Sequence, residues 1–145
     1  MTSAQALEQK IRNAIPLSDA MQFSIKVLSQ DKIQVSAPLE PNINVHGTGF
    51  AGSIYSAAIL TGWALCTHVM DELELDGDLV VAKAEISYRA PVTSALECRC
   101  QVSAEQRDSF ARGLLDSGKG KLFLEVDVGD RPHAILQATY IAVAR

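Results

Sequence analysis

The stretch His46-Gly47-Thr48-Gly49-Phe50-Ala51-Gly52-Ser53-Ile54-Tyr55-Ser56 sets three glycines in the spacing G-x-G-x-x-G and runs straight into a segment of helical character. It reads either as a dinucleotide-binding loop or as a glycine-rich helix start that meets another ligand. The dinucleotide reading needs a hydrophobic strand just ahead and parallel βαβ units around it. Ahead of Gly47 stands the polar run Pro41-Asn42-Ile43-Asn44-Val45-His46, and the later strands read as antiparallel neighbours. Only Asp71 and Glu72 fit, at the distance of a ribose-binding acid. A P-loop is excluded because no lysine precedes Ser53, and the G-x-S-x-G elbow of serine hydrolases is absent. What remains follows from backbone physics. A helix starting near Ala51 leaves its first N–H groups without intrahelical partners, and its dipole adds partial positive charge there. Small residues at 47, 49, 51, 52 and 53 admit a ligand close to that backbone. Such an end suits an anion, or a carbonyl oxygen that becomes an oxyanion. The plainer alternative is that the glycines serve a tight turn and close packing.

The helix that follows, 51–70, decides the class. From Pro41 to Met70 there is no Asp, Glu, Lys or Arg. Asn, His, Gly, Ser and Thr interrupt the run, so its apolar core falls short of the ~18–20 residues that span a bilayer. A helix apolar on all sides then belongs inside the protein. Upstream, residues 2–15 read as an amphipathic helix, with Thr2 and Gln5 in capping-box spacing and Pro16 as its stop. Met21, Phe23, Ile25 and Val27 alternate as a strand, Ser29–Lys32 turn, and Ile33 and Val35 continue a hairpin. Residues 37–50 form a loop. Downstream, Val80 to Tyr88 and Leu96 to Val102 alternate, and their short link at Pro91–Ser94 predicts that they pair antiparallel. Ser103 and Gln106 open a short helix ending near Gly118. Leu122–Val128 and 133–144 are the last strands. Strands grouped around one deeply apolar helix mean an α+β fold with a mostly antiparallel sheet.

Composition narrows the function. A chain of 145 residues reads as one domain that can bury a core without staples. A net charge of −4 without a basic cluster argues against nucleic acid as a partner. Residues near the start include Glu8, Lys10 and Arg12 without an apolar run, so no secretory signal and no membrane role are expected. The odd cysteine count (Cys66, Cys98, Cys100) points to a reducing compartment, and the spacing offers no metal site.

Several segments resemble a known family. Asn44-Val45-His46-Gly47-Thr48-Gly49-Phe50-Ala51-Gly52 follows the N-x-x-G-T-x-[H/F]-G-G loop of hotdog-fold acyl-thioester hydrolases, with Ala51 replacing one glycine. Ile86-Ser87-Tyr88-Arg89-Ala90-Pro91-Val92 is similar to the family's I-x-Y-x-x-P-V segment. Pro41–Asn44, Gly47–Ser56 and Leu60-Thr61-Gly62-Trp63 are similar to a bacterial thioesterase domain found alone or fused behind a GNAT-type acetyltransferase.

The resemblance implies a hotdog fold in which the sheet wraps the central helix. It also implies a cytoplasmic homodimer, or a tetramer, with the active site at the subunit interface. Its substrate would be an acyl thioester, whose own coenzyme A or phosphopantetheine enters from solvent; no separate cofactor is implied. The backbone N–H of Ala51 or Gly52 would meet the thioester carbonyl. Many members carry a catalytic carboxylate nine residues after Phe50, where this chain has Ile59. Asn44, His46, Ser53 and Ser56 are the candidates to orient water or substrate in its place. Gly47, Thr48, Gly49, Phe50, Tyr55, Ile59, Thr61 and Arg89 are candidate substrate contacts, with Arg89, Arg99 and Lys83 available to phosphates. Because of Ile59, a non-catalytic acyl-thioester binding module or an acetyltransferase partner is the rival reading. A dehydratase-like enzyme ranks lower, since His46 has no nearby acid.

Overall fold

In a computed structural model of the protein, residues 3–145 are described. The first helix, α1 (Ala4–Ala14), is capped by Ser3, whose Oγ accepts the Ala6 N–H at 3.1 Å. The cap expected from Thr2 lies outside the described residues. Pro16 ends α1 as expected, but it also occupies the first turn of a second short helix, α2 (Pro16–Ala20). Gln22, at φ 59°, breaks the chain after Met21, so the first strand begins later than its alternation suggests. Strand β1 (Ser24–Leu28) and β2 (Lys32–Ala37) form the expected hairpin, with a bulge between Ile25 and Val27. The bulge turns Val27 outward while Met21, Phe23 and Ile25 stay buried. A single 3-10 turn (Glu40–Asn42) leads into the glycine loop.

The apolar helix α3 (Ala51–Glu72) extends two residues past the expected end. It is long and apolar enough to cross a membrane, yet 72% of its most apolar stretch is buried inside the fold. A core helix, not a membrane helix, is the consistent reading. Around it lie β3 (Asp78–Tyr88), β4 (Leu96–Gln101), α4 (Ala104–Ser117), β5 (Lys119–Val128) and β6 (Ala134–Val143). Helix α4 opens on a complete capping box of Ser103 and Gln106 and closes on Gly118 at φ 75°.

The described residues form a six-stranded sheet in the order β1-β2-β4-β5-β6-β3, with every neighbouring pair antiparallel. One expectation fails here: β3 and β4 do not pair. β3 runs along β6 from Asp78↔Val143 to Tyr88↔Ala134, and β4 lies between β2 and β5. The short link between them is not a hairpin turn. Its Val92 carbonyl accepts the Gly49 N–H at 2.8 Å, so the link crosses the mouth of α3 and carries the chain from the sheet edge to its middle. A second bulge, between Val81 and Lys83, shifts the buried face of β3 from Val80 to Leu79.

The two edges of the sheet differ. At the β1 edge, α1 packs alongside and the Glu8 carboxylate accepts the Ile25 N–H at 2.8 Å. Strand β3 lies at the opposite edge, with Val80 51% and Tyr88 47% exposed.

The helix is seated by small residues. A Cβ on Gly62 would collide with the ring and hydroxyl of buried Tyr140, whose Oη donates to the Ile59 carbonyl at 2.8 Å. Gly62→Ala should therefore destabilise by about 1–3 kcal/mol through overpacking, despite the better helix propensity of Ala. Urea unfolding followed by circular dichroism measures this; a stabilised variant would contradict the packing described.

Candidate functional site

The site is built on the loop that enters α3. Buried Asn42 (2% exposed) docks the preceding turn: its Nδ2 donates to the carbonyls of Met21 (3.0 Å) and Pro38 (2.8 Å). Its own carbonyl accepts the Phe50 N–H at 2.8 Å. Asn44 then braces the loop from within. Its Nδ2 donates to Thr48 Oγ1 (2.9 Å) and the Gly49 carbonyl (3.4 Å), and its Oδ1 accepts the N–H groups of His46 (2.8 Å) and Thr48 (3.1 Å). Both amide protons and both acceptor positions are thus occupied by the chain. Asn44 holds the loop rather than a water.

Each glycine has a structural reason. Gly47 sits at φ 78°, a left-handed turn with open space around it. Gly49 packs between Ile54 and Val92, where a Cβ would lie 3.1 Å from each side chain. The Phe50 ring folds back over Gly52, 2.5 Å from where a Cβ would stand.

What this bracing presents is a bare helix end. Phe50 is the N-cap and gives no side-chain cap. The first N–H taken up is that of Ile54, by the Phe50 carbonyl at 3.0 Å. Among the described residues, no acceptor takes the N–H groups of Ala51, Gly52 or Ser53. Ala51 and Gly52 are exposed and Ser53 is half-buried. A cleft of about 400 Å³ opens beside this end, lined by Asn44, Thr48, Ala51, Tyr88, Arg89 and Val92, among others. Tyr88 shapes its mouth: its Oη donates to the Ala51 carbonyl at 2.8 Å and ties the end of β3 to the start of α3. Burial, then the nearby Tyr55 phenol, holds the Tyr88 hydroxyl above its ordinary pKa, so it stands there as a neutral donor.

A second, more apolar cavity of about 510 Å³ lies farther along the seam between α3 and β3. Tyr55, Ser56, Ile59 and Leu60 form one wall and Val81–Ala84 the other, with Ile15 and Leu17 at its side. Lys83 also borders this groove.

The candidates from the sequence therefore divide. Asn44, Thr48, Gly49, Ala51 and Arg89 line the cleft, while Tyr55, Ser56 and Ile59 line the groove. His46 is exposed on the loop, and neither it nor Ser53 lines either cavity. Arg99 points elsewhere, donating to the Gly129 carbonyl at 2.6 Å. Thr61 is fully buried, and its Oγ1 donates to the Ala57 carbonyl at 2.7 Å. It is a packing residue between helix and sheet, not a wall of either cavity. No Asp or Glu lines either cavity. Two contributors were missed. Tyr88 stood inside the I-x-Y-x-x-P-V segment, but only the fold brings it to the helix end. Asn42 had no signal beyond its place in the motif.

Residues 4–144 match the family described as "Putative thioesterase (yiiD_Cterm)". The chain belongs to this family. A solved structure titled as a thioesterase of this provisional kind, from Shewanella oneidensis, is 38% identical, with a TM-score of 0.87 over 97% of this chain and 96% of its own. A protein of unknown function from Chlorobaculum tepidum TLS is 26% identical, with a TM-score of 0.94 over 98% and 94%. A Pseudomonas aeruginosa structure titled "Probable Thioesterase", 19% identical with a TM-score of 0.86 over 100% and 99%, shares the fold. The fold of this family member is the hotdog fold.

Two outcomes follow. Asn44→Ala should cost about 1–2 kcal/mol in loop hydrogen bonds and strip amide-exchange protection from Gly47 to Gly49; unchanged exchange would contradict the brace. The second concerns the thiols. Burial pushes Cys98 and Cys100 up to about 12, against the pull of the Thr61 hydroxyl on Cys98, and raises Cys66 as well. The unfolded chain releases these protons near about pH 8.5, so between there and about 12 it binds fewer protons than the folded chain. Stability should fall as pH rises through that window. Ellman's reagent at pH 8 should find no reactive thiol in the folded protein and three after denaturation.

Proposed function

We propose that this protein hydrolyses acyl thioesters of coenzyme A or an acyl carrier, as a cytoplasmic homodimer. The single observation carrying this reading is the uncapped start of α3, with three free N–H groups, the first of which belongs to Ala51 in the wall of an open cleft. A thioester carbonyl entering the cleft accepts hydrogen bonds from Ala51 and Gly52. When water attacks the carbonyl carbon, negative charge moves onto that oxygen, where the fixed N–H dipoles and the helix dipole stabilise it. The tetrahedral intermediate collapses with cleavage of the C–S bond, giving a carboxylic acid and a thiol. A thiolate leaves far more readily than an alkoxide, because thiols are much stronger acids than alcohols. The leaving group therefore needs no general acid from the chain.

Water activation is the weaker half of the site. The nearest helix hydroxyls, Tyr55 and Ser56, face the groove, and neither is a strong base. A missing carboxylate base costs on the order of 10²–10⁴-fold in rate, so modest turnover is expected. The same absence favours the second reading, a module that binds acyl thioesters without turning them over.

Dimerisation rests on the contrast between the sheet edges. The β1 edge is blocked by α1 and Glu8, whereas β3 presents an eleven-residue edge suited to pairing with a second copy. Such pairing places the helix start and groove next to the subunit boundary. The free buried thiols suit a reducing compartment.

The test is a panel of acyl-CoAs with the wild type and Ala51→Pro. Proline is tolerated at the first position of a helix and removes only one N–H. The variant should keep its melting temperature and lose about 10²–10³ in kcat. Undiminished kcat removes the assignment of the helix start. Binding without turnover by the wild type selects the second reading.

A further inference from the structure

We propose that the Tyr88 hydroxyl holds the water that attacks the thioester; this rests on the hydrolase reading above. Four polar side chains line the cleft beside Ala51: Asn44, Thr48, Tyr88 and Arg89. A water aimed at a carbonyl carbon keeps a lone pair forward, so its protons must point back to hydrogen-bond acceptors. Arg89 has donors only. Asn44 Oδ1 already accepts the His46 and Thr48 N–H groups, and Thr48 Oγ1 accepts from Asn44 Nδ2 at 2.9 Å. Tyr88 Oη differs from both. Its proton goes to the Ala51 carbonyl at 2.8 Å, and among the described residues no donor points back at it. A hydroxyl with its one proton so committed leaves its lone pairs for a donor from the cleft. Tyr88 is half exposed, so water reaches it.

The same bond sets the distance. The Ala51 N–H is the donor for the substrate carbonyl, and the Ala51 carbonyl anchors Tyr88. A helical residue's own nitrogen and oxygen lie roughly 3.5 Å apart, so Tyr88 Oη stands no more than about 6.3 Å from that nitrogen. From the nitrogen through the substrate's oxygen and carbon to a water on Oη, the links are about 2.9, 1.2, 3.2 and 2.8 Å. The path is longer than the gap and must bend. The water therefore meets the carbon from the side of the C=O axis, as addition to a carbonyl requires.

Burial, then the Tyr55 phenol, keeps the Tyr88 hydroxyl protonated, so it orients the water without taking its proton. A water lone pair forms the C–O bond, the C=O electron pair moves to oxygen, and the water's proton passes to solvent in the open cleft. Collapse restores the C=O, breaks the C–S bond, and the thiolate takes a proton from solvent.

The experiment compares water with hydroxylamine as the nucleophile, using acyl-CoAs with the wild type and Tyr88→Phe. Hydroxylamine attacks without a base and yields a hydroxamate with the same thiol. Tyr88→Phe keeps the ring and should keep the melting temperature. Its kcat for hydrolysis should fall about ten- to hundredfold with KM within about twofold, a smaller loss than removing a full base causes. Its hydroxamate formation should stay within about threefold of the wild type, so the ratio of hydroxamate to acid rises at least about threefold. Ala51→Pro, which removes a carbonyl donor, should instead depress both reactions alike. Undiminished hydrolysis by Tyr88→Phe overturns the assignment. So does an equal loss of both reactions, which makes Tyr88 only a tie between β3 and α3. A wild type that forms hydroxamate but hydrolyses nothing also overturns it, while leaving the N–H donors in place. A wild type that does neither brings down the hydrolase reading itself, and this assignment with it.

Discussion

A twenty-two-residue helix with no charge before Asp71 has no face to give to water, and enclosing it dictates the rest of the molecule. One sheet of six strands curls round it, and α1 buries Leu7 and Ile11 in the same core. Enclosure cannot be complete, because a helix ends in polar backbone groups that need partners. The C-terminal end is satisfied within the chain. His68 is buried and pairs with Glu72 at 3.3 Å, and the Leu73 and Leu75 N–H groups return to Val69 and Met70. The N-terminal end is left open. The asymmetry is local to the sequence: acids stand in the last turn of the helix and glycines precede its start.

An open helix end becomes useful only if it is held still. Three side chains bond backbone carbonyls across the seam between helix and sheet: Tyr88 to Ala51, Tyr140 to Ile59, and Trp63 to Leu79. All three are aromatic, so each adds apolar contact to its bond. Gly62 lets Tyr140 reach the helix. On the other side of the helix start, Asn44 closes four hydrogen bonds within the loop, and Asn42 fastens the loop to Met21 and Pro38. The N–H groups of Ala51–Ser53 are therefore aimed before any ligand arrives, the condition under which dipoles stabilise a developing charge without reorganising.

The parts of this arrangement that were legible in the sequence are those set by local rules. The charge-free run announced α3, the capping box announced α4, and alternation announced the buried faces of β4 and β5. The helix start was legible as chemistry because unpaired N–H groups follow from any helix beginning at small residues. What the sequence hid depends on contacts remote along the chain. β3 and β4 read as a hairpin because their link is short; the Gly49–Val92 bond that forbids it joins two loops forty-three residues apart. The bulges at Lys26 and Ala82 change which residues face inward without leaving a glycine as a mark. Asn44 has the composition of a water-binding amide, and only its four partners reveal a brace. Thr61 looked like a polar lining residue, but its place on the helix turns it toward Cys98 on β4.

The missing carboxylate is best understood from the bond being broken. Hydrolysis of an ester or amide must expel an alkoxide or amine, for which a general acid is valuable. A thioester expels a thiolate, a far weaker base than an alkoxide, so in the proposed reaction the site can dispense with the acid and rely on its N–H donors. What it lacks is a base for the attacking water, since Ile59 puts hydrocarbon in the groove wall instead of a charge. A buried carboxylate at that position would oppose apolar binding through its own desolvation, or else rise in pKa until it bound a proton. On the proposed reading, isoleucine at position 59 leaves the site without a base and the groove wall without a buried charge.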